Sequence, residues 1–145
     1  MSPDRVFLIC TYAVLPAWGL LVLAPRWAWT DRLINRVWIP VLLGLVYVWA
    51  ALAGPTVPEG AGFGSLAAVI ILFSSPFMML AGWIHFLAFD LFIGAWQVRD
   101  ARRHGVAHLF VIPCLVLTLL FGPTGLLLYF AVRYATSRTV AVTET

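Results

Sequence analysis

The 145-residue sequence has no lysine and little charge of any kind: Asp, Glu, Lys and Arg together make up 10% of it, where a soluble domain carries about 25%. With 63% hydrophobic residues and a mean hydropathy of +0.99, that scarcity excludes a water-soluble globule. All nine basic residues are Arg, against six acids. They stand in short clusters between apolar runs, not in a patch interleaved with aromatics, which argues against nucleic acid as a partner. The net charge of +3 is read as topology-setting arginine at membrane edges. Cysteine is scarce too: Cys10 and Cys114 fall in different apolar runs, so no disulfide framework is supported and both are read as small buried hydrophobes. Internal repeats and low-complexity segments are absent. No cleavable leader is expected, because Asp4 and Arg5 precede a long apolar run with no small-residue cleavage pattern, and that run is expected to be retained. The Arg-only, Ala- and Gly-rich composition suggests a GC-rich bacterial genome.

What remains is apolar sequence in span-length pieces. A bilayer core of about 30 Å needs about 20 helical residues, so the chain is expected to be a single all-α integral membrane domain over residues 1–145, with four transmembrane helices. The first span is Val6 to Ala24, closing at Pro25-Arg26-Trp27 with Trp29 nearby, an interfacial cluster. The second is Val37 to Ala53, ended by the Pro- and Gly-rich loop Gly54 to Gly60. Leu66 to Trp96 would reach about 46 Å as one straight helix, so it must break. Ser74-Ser75-Pro76 is the expected break. It leaves an interfacial half-helix from Leu66 to Phe73 and a third span from Pro76 to Val98. After a charged loop, Arg99 to Gly105, the fourth span is Val106 to Val132, and residues 136–145 are expected to form a flexible tail. Four spans put six Arg on one face against Arg5, Arg133 and Arg138 on the other, which favours both termini outside the cytoplasm.

An ionisable group inside hydrocarbon is a functional hypothesis by default. Asp90 meets that condition, roughly 12 Å deep from the Arg99 end. Gly82, Phe86, Asp90 and Gly94 recur every fourth residue and are expected to share a face that faces the bundle. The alternative is an Asp that only hydrogen-bonds a neighbouring helix. His85 lies about 140° round the helix from Asp90, so the two are not a helical pair, yet they are expected to line one cavity from two edges as proton donor and acceptor. For His85 the alternative is a ring satisfied by a backbone carbonyl. His85, Asp90 and His108 form a metal-ligand set on paper. An antiparallel third and fourth span would place Asp90 opposite Cys114, His85 opposite Leu119 and His108 near Trp96, so one ion would not reach both His residues. No metal and no soluble cofactor are expected. Prolines 16, 40, 76, 113 and 123 mark expected kinks; near Gly122-Pro123-Thr124-Gly125 the freed Leu119 carbonyl and the Thr124 hydroxyl are expected to face the depth of His85, the alternative being the ordinary enrichment of Gly and Pro in membrane helices.

At these residues a family resemblance emerges. The block from Gly82-Trp83-Ile84-His85 to Phe89-Asp90 and Gly94, then Ala107-His108-Leu109, then Pro113-Cys114-Leu115 through Thr118 to Phe121-Gly122-Pro123-Thr124-Gly125, resembles the family of the plant abscisic-acid-deficient-four protein. That family includes the plastid neoxanthin synthases and many bacterial members. The resemblance covers Pro16 to Arg133. It implies opening of a carotenoid epoxide with formation of an allene, a redox-neutral isomerisation that delivers one proton to oxygen and removes one from carbon. By residue, His85, Asp90 and His108 match the family's pattern. No plastid transit segment is expected, and a bacterial inner membrane is the expected location.

The function expected from sequence and resemblance is therefore acid–base isomerisation of a carotenoid, isoprenoid or other lipid held between helices. Asp90 is the main acid or base, His85 its partner and His108 a third candidate near the entrance. Trp83, Phe86, Gly82, Gly94, Thr118, Gly122 and Pro123 are expected to line the substrate. The bilayer and an apolar polyene or isoprenoid are the expected partners, with a second copy or a membrane-complex subunit compatible with the small-residue faces. The alternative function is a non-catalytic lipid- or pigment-binding or assembly subunit, and a proton-coupled carrier using Asp90 is a third reading.

Overall fold

The computed structural model describes residues 2–54 and 57–138, without the Asn35 side chain. All regular structure among them is helical. Helix α1 (Pro3–Leu23) is followed by the short α2 (Ala28–Thr30), which runs into a π-helical turn over Asp31–Asn35. Then come α3 (Trp38–Ala53), α4 (Leu66–Phe73), α5 (Pro76–Arg103), α6 (His108–Phe121) and α7 (Pro123–Ser137). Proline opens α1, α5 and α7 in the first turn, where its fixed φ suits a helix and its missing N–H costs nothing. The half-helix and the Ser74-Ser75-Pro76 break lie where the sequence places them; Ser65 Oγ caps α4 by accepting the Ala68 N–H at 3.1 Å.

Helix α5 is the spine, touching α1, α3, α4, α6 and α7. Its buried side, with Ile84, Leu91 and Val98, packs against Val14 and Leu21 of α1 and Leu115 of α6 in one core. Among the described residues, three segments are long and apolar enough to cross a membrane: Pro3–Leu23, Ala28–Ala53 and Pro76–Arg103. The outward faces are apolar as well, as at Leu42, Leu45 and Leu52 on α3, an arrangement suited to lipid and costly in water.

Three expectations are corrected. Helix α5 continues past Val98 to Arg103, so the charged segment Arg99 to Gly105 is mostly helix. The extra turn is held because Asp100 and Ala101 face the core while Arg102 and Arg103 face out. Gly105, at φ +68, then ends the helix with the Val106 N–H bonded to Ala101 O at 2.9 Å, a glycine-terminated C-cap. Second, the stretch expected to run as one span from Val106 to Val132 is an antiparallel hairpin. Gly122 at φ +46 and ψ −97, followed by Pro123, reverses the chain in a conformation that L side chains resist. Gly125 then packs on Thr118 N and Cys114 O of the preceding arm, and Arg133 returns to Asp100 at the C-terminal end of α5. Third, Thr136 and Ser137, expected in the flexible tail, belong to α7 and donate to Val132 O and Arg133 O. Arg138 follows at φ +58, and 139–145 lie outside the described residues, as do positions 55 and 56 of the Gly54 to Gly60 loop.

Candidate functional site

Because successive residues on a helix turn by about 100°, α5 shows His85 to one side of the bundle and Asp90 to another. His85 faces α3 and α4. Its ring stacks on Phe89, with centroids 4.4 Å apart and planes at 24°, and lies 5.9 Å from the Tyr47 ring of α3. Beside it opens an apolar groove of about 340 Å³ lined by Tyr47, Phe63, Leu72, Phe73 and Gly82. Gly82 lets the Phe73 ring pack closely on α5: a Cβ there would come within 2.6 Å of that ring. The imidazole and the Tyr47 phenol are the side chains in this lining that can both donate and accept hydrogen bonds. Among the described residues no hydrogen bond engages either one.

Asp90 stands at the middle of α5 and meets the tip of the α6–α7 hairpin, where its Oδ1 lies 2.9 Å from the position a Cβ on Gly122 would take. Its Oδ2 is buried without a hydrogen-bond partner among the described residues. Asp90 thus faces Gly122, not Cys114, because α5 runs longer and the hairpin turns back at mid-depth. The non-helical backbone at Gly122 faces Asp90 and not His85. The expected Asp90–His85 cavity is therefore not formed: the two groups face different helices.

The remaining sequence candidates are engaged in helix packing. His108 Nε2 donates to Val22 O at 2.9 Å, fixing the end of α1 to the start of α6. Trp83 Nε1 donates to Thr11 Oγ1 at 2.9 Å, and its ring stacks on Phe86 with centroids 5.5 Å apart. Trp18 occupies the space left by Gly94, 2.8 Å from where a Cβ would stand. Thr118 is buried between Gln97 and Cys114 O, with Gln97 Nε2 donating to Thr118 Oγ1 at 3.0 Å. Gly82, Phe86, Asp90 and Gly94 do not share one partner, since a row of fourth residues drifts by about 40° per step. Pro123 starts α7 and is exposed. Among the described residues no group of three or more His, Cys, Asp or Glu is gathered as a metal site.

A buried charged cluster at the base of the hairpin was missed in sequence. Tyr129 donates to Asp100 Oδ2 at 2.5 Å, and Arg133 Nη1 pairs with the same oxygen at 3.0 Å. Arg133 Nη2 donates to His104 Nε2 at 2.9 Å, and His104 Nδ1 lies 2.9 Å from Asp100 O. Since arginine only donates, His104 Nε2 accepts and the ring proton sits on Nδ1. Arg133 is 0% exposed and Asp100 4%, so these are interior charges that require each other. The legible signal was spacing: Asp100–His104 and Tyr129–Arg133 are both four apart, as partners on one helix face must be.

The ABA DEFICIENT 4-like family model matches residues 5–129 of this chain. The chain is also 28% identical over 144 residues to Protein ABA DEFICIENT 4, chloroplastic, of Arabidopsis thaliana, an alignment covering 90% of this chain and 61% of that protein. It thus spans less than two thirds of that relative's length. No solved structure matches. With the match running from the first turn of α1 to Tyr129 of α7, the chain belongs to the ABA DEFICIENT 4-like family.

Proposed function

We propose that this protein is embedded in a membrane, a bacterial inner membrane by its composition, and isomerises a carotenoid or related isoprenoid held in the groove beside His85. The observation that supports this is an imidazole beside a phenol, His85 and Tyr47, in an otherwise apolar groove. Such a groove takes a flat polyene end by shape and burial, and the family resemblance implies an epoxide-opening isomerisation. The His85 imidazole takes a proton from carbon, the C–O bond of the epoxide breaks, and the Tyr47 hydroxyl gives its proton to the oxygen. The imidazolium then returns its proton to the Tyr47 oxygen, so both groups are restored and no electrons are gained or lost. In this proposal Asp90 packs against the hairpin tip and His108 holds the end of α1.

Membrane placement follows the same proposal. Helices α1, α3 and α5 cross, and the α6–α7 hairpin enters and leaves on one side, since arms of 14 and 15 residues reach only about 22 Å. Arg133 at Asp100 brings the hairpin's end back to the Arg26, Arg32, Arg36, Arg99, Arg102 and Arg103 side, leaving Arg5 on the other. That asymmetry supports an N-terminus outside and a C-terminal end in the cytoplasm, where the four-span expectation has both termini outside. Expression in a host that makes epoxy-carotenoids tests the function: the protein should shift the extracted pigments toward an isomer of equal mass, and His85→Ala should not. A protein that retains pigment through purification without converting it would favour the non-catalytic binding reading.

A further inference from the structure

Where the end of α1 meets the α5–α6 turn, a cavity of about 370 Å³ opens beside Pro25, Ala101, Val106 and His108, with Arg26 and Arg102 in its lining. Its floor is apolar and fixed, because Ala101 and Val106 are buried and His108 is bonded to Val22 O. Its rim is cationic. Asp100, the nearest acid in sequence to Arg102, is taken by Arg133, and Asp31 pairs with Arg36 at 3.7 Å. Among the described residues neither Arg26 nor Arg102 forms an ion pair. His108 begins α6, so the positive end of a 14-residue helix dipole adds to the same field. Apolar walls below and guanidinium groups above match a phosphate carried on acyl chains, and basic pockets between helices at the positive-inside face are where anionic headgroups bind.

We propose that this cavity holds the phosphate of an anionic phospholipid from the arginine-rich leaflet. The assignment rests on the membrane placement above but not on the chemistry at His85. Two guanidinium groups near the headgroup predict a preference for phosphatidylglycerol over phosphatidylcholine of about 30-fold. The test is lipid retention by the purified, delipidated full chain, read by native mass spectrometry in mixtures of the two lipids. Thermal unfolding in phosphatidylcholine nanodiscs with increasing phosphatidylglycerol accompanies it. Wild-type protein should retain phosphatidylglycerol and unfold at higher temperature as its fraction rises. Arg26→Gln with Arg102→Gln should lose both effects, while Arg138→Gln, a charge removed elsewhere on that side, should keep them. Should the double variant fail to fold, the single variants decide by mass spectrometry alone. Equal retention of both lipids by wild type, or equal losses in Arg138→Gln, would overturn the site, and full stabilisation by inorganic phosphate alone would overturn the lipid source. Fractionation of the chain with membranes separates failure of this site from failure of the placement.

Discussion

Gly122 and Asp90 are in contact across the bundle: a Cβ on Gly122 would stand 2.9 Å from Asp90 Oδ1, and Gly122 has φ +46. The residue is therefore constrained twice, by backbone conformation and by space. Gly122→Ala should destabilise the fold by about 2 kcal/mol or more from the positive φ and the clash together. Asp90→Ala should relieve the steric part only, so the double variant should cost less than the sum of the singles. Unfolding in mixed micelles measures the cycle, and strict additivity would show that the two do not touch.

The hairpin predicts which side of the membrane each end faces. Cysteines placed at Arg103 and at Tyr134, both exposed, should react with a membrane-impermeant maleimide from the same side. A cysteine at Asp4 should react from the opposite side. Native Cys10 and Cys114 are buried and should label slowly. Labelling of positions 103 and 134 from opposite sides would restore the four-span arrangement.

Removing one member of the buried Asp100–Arg133 pair should be costly. Arg133→Met leaves the Asp100 carboxylate in the interior with only Tyr129 and His104, and a loss of about 3–5 kcal/mol is expected. Asp100→Asn combined with Arg133→Met should recover part of it, because no uncompensated charge remains. The comparison is made by chemical unfolding of the four proteins, and a double variant no better than the singles would count against a coupled pair.

Trp83 ties α1 to α5 through Thr11. Thr11→Val removes the acceptor and leaves the indole N–H without its partner, at a cost of about 1–3 kcal/mol. Retained pigment should be unchanged, as Trp83 is absent from the lining of the His85 groove; loss of pigment without loss of stability would make Trp83 a binding residue.

Much of this architecture is visible in the sequence where backbone chemistry is local. Pro76 after two serines fixes the break between α4 and α5, and apolar length alone marks α1 and α5. The hairpin was legible by the same test that broke Leu66 to Trp96: Val106 to Val132 is about 40 Å as a straight helix, with Gly122-Pro123 inside it. The Asp100 cluster was hidden for a different reason. Four charges between Arg99 and Arg103 look like a solvated loop, and only the partner helix reveals that Asp100 turns inward to Tyr129 and Arg133. His85 and Asp90 stand out in the sequence as polar groups in an apolar run, but their separation of about 140° is resolved into two different environments by α3 and the hairpin tip, which no spacing along α5 specifies. Tyr47, from a helix distant in sequence, carried no local signal at all.

The central claim is that the His85 groove binds and isomerises an epoxy-carotenoid. Purified protein reconstituted in liposomes with violaxanthin, without added cofactor, measures it directly, with products separated by chromatography and weighed by mass spectrometry. The expected result is a product of unchanged mass whose formation falls by about 100-fold or more in His85→Ala, the scale of general acid–base catalysis, with Thr11→Val close to wild type. Absence of any isomer with the wild-type protein, or equal conversion by His85→Ala, would contradict the account.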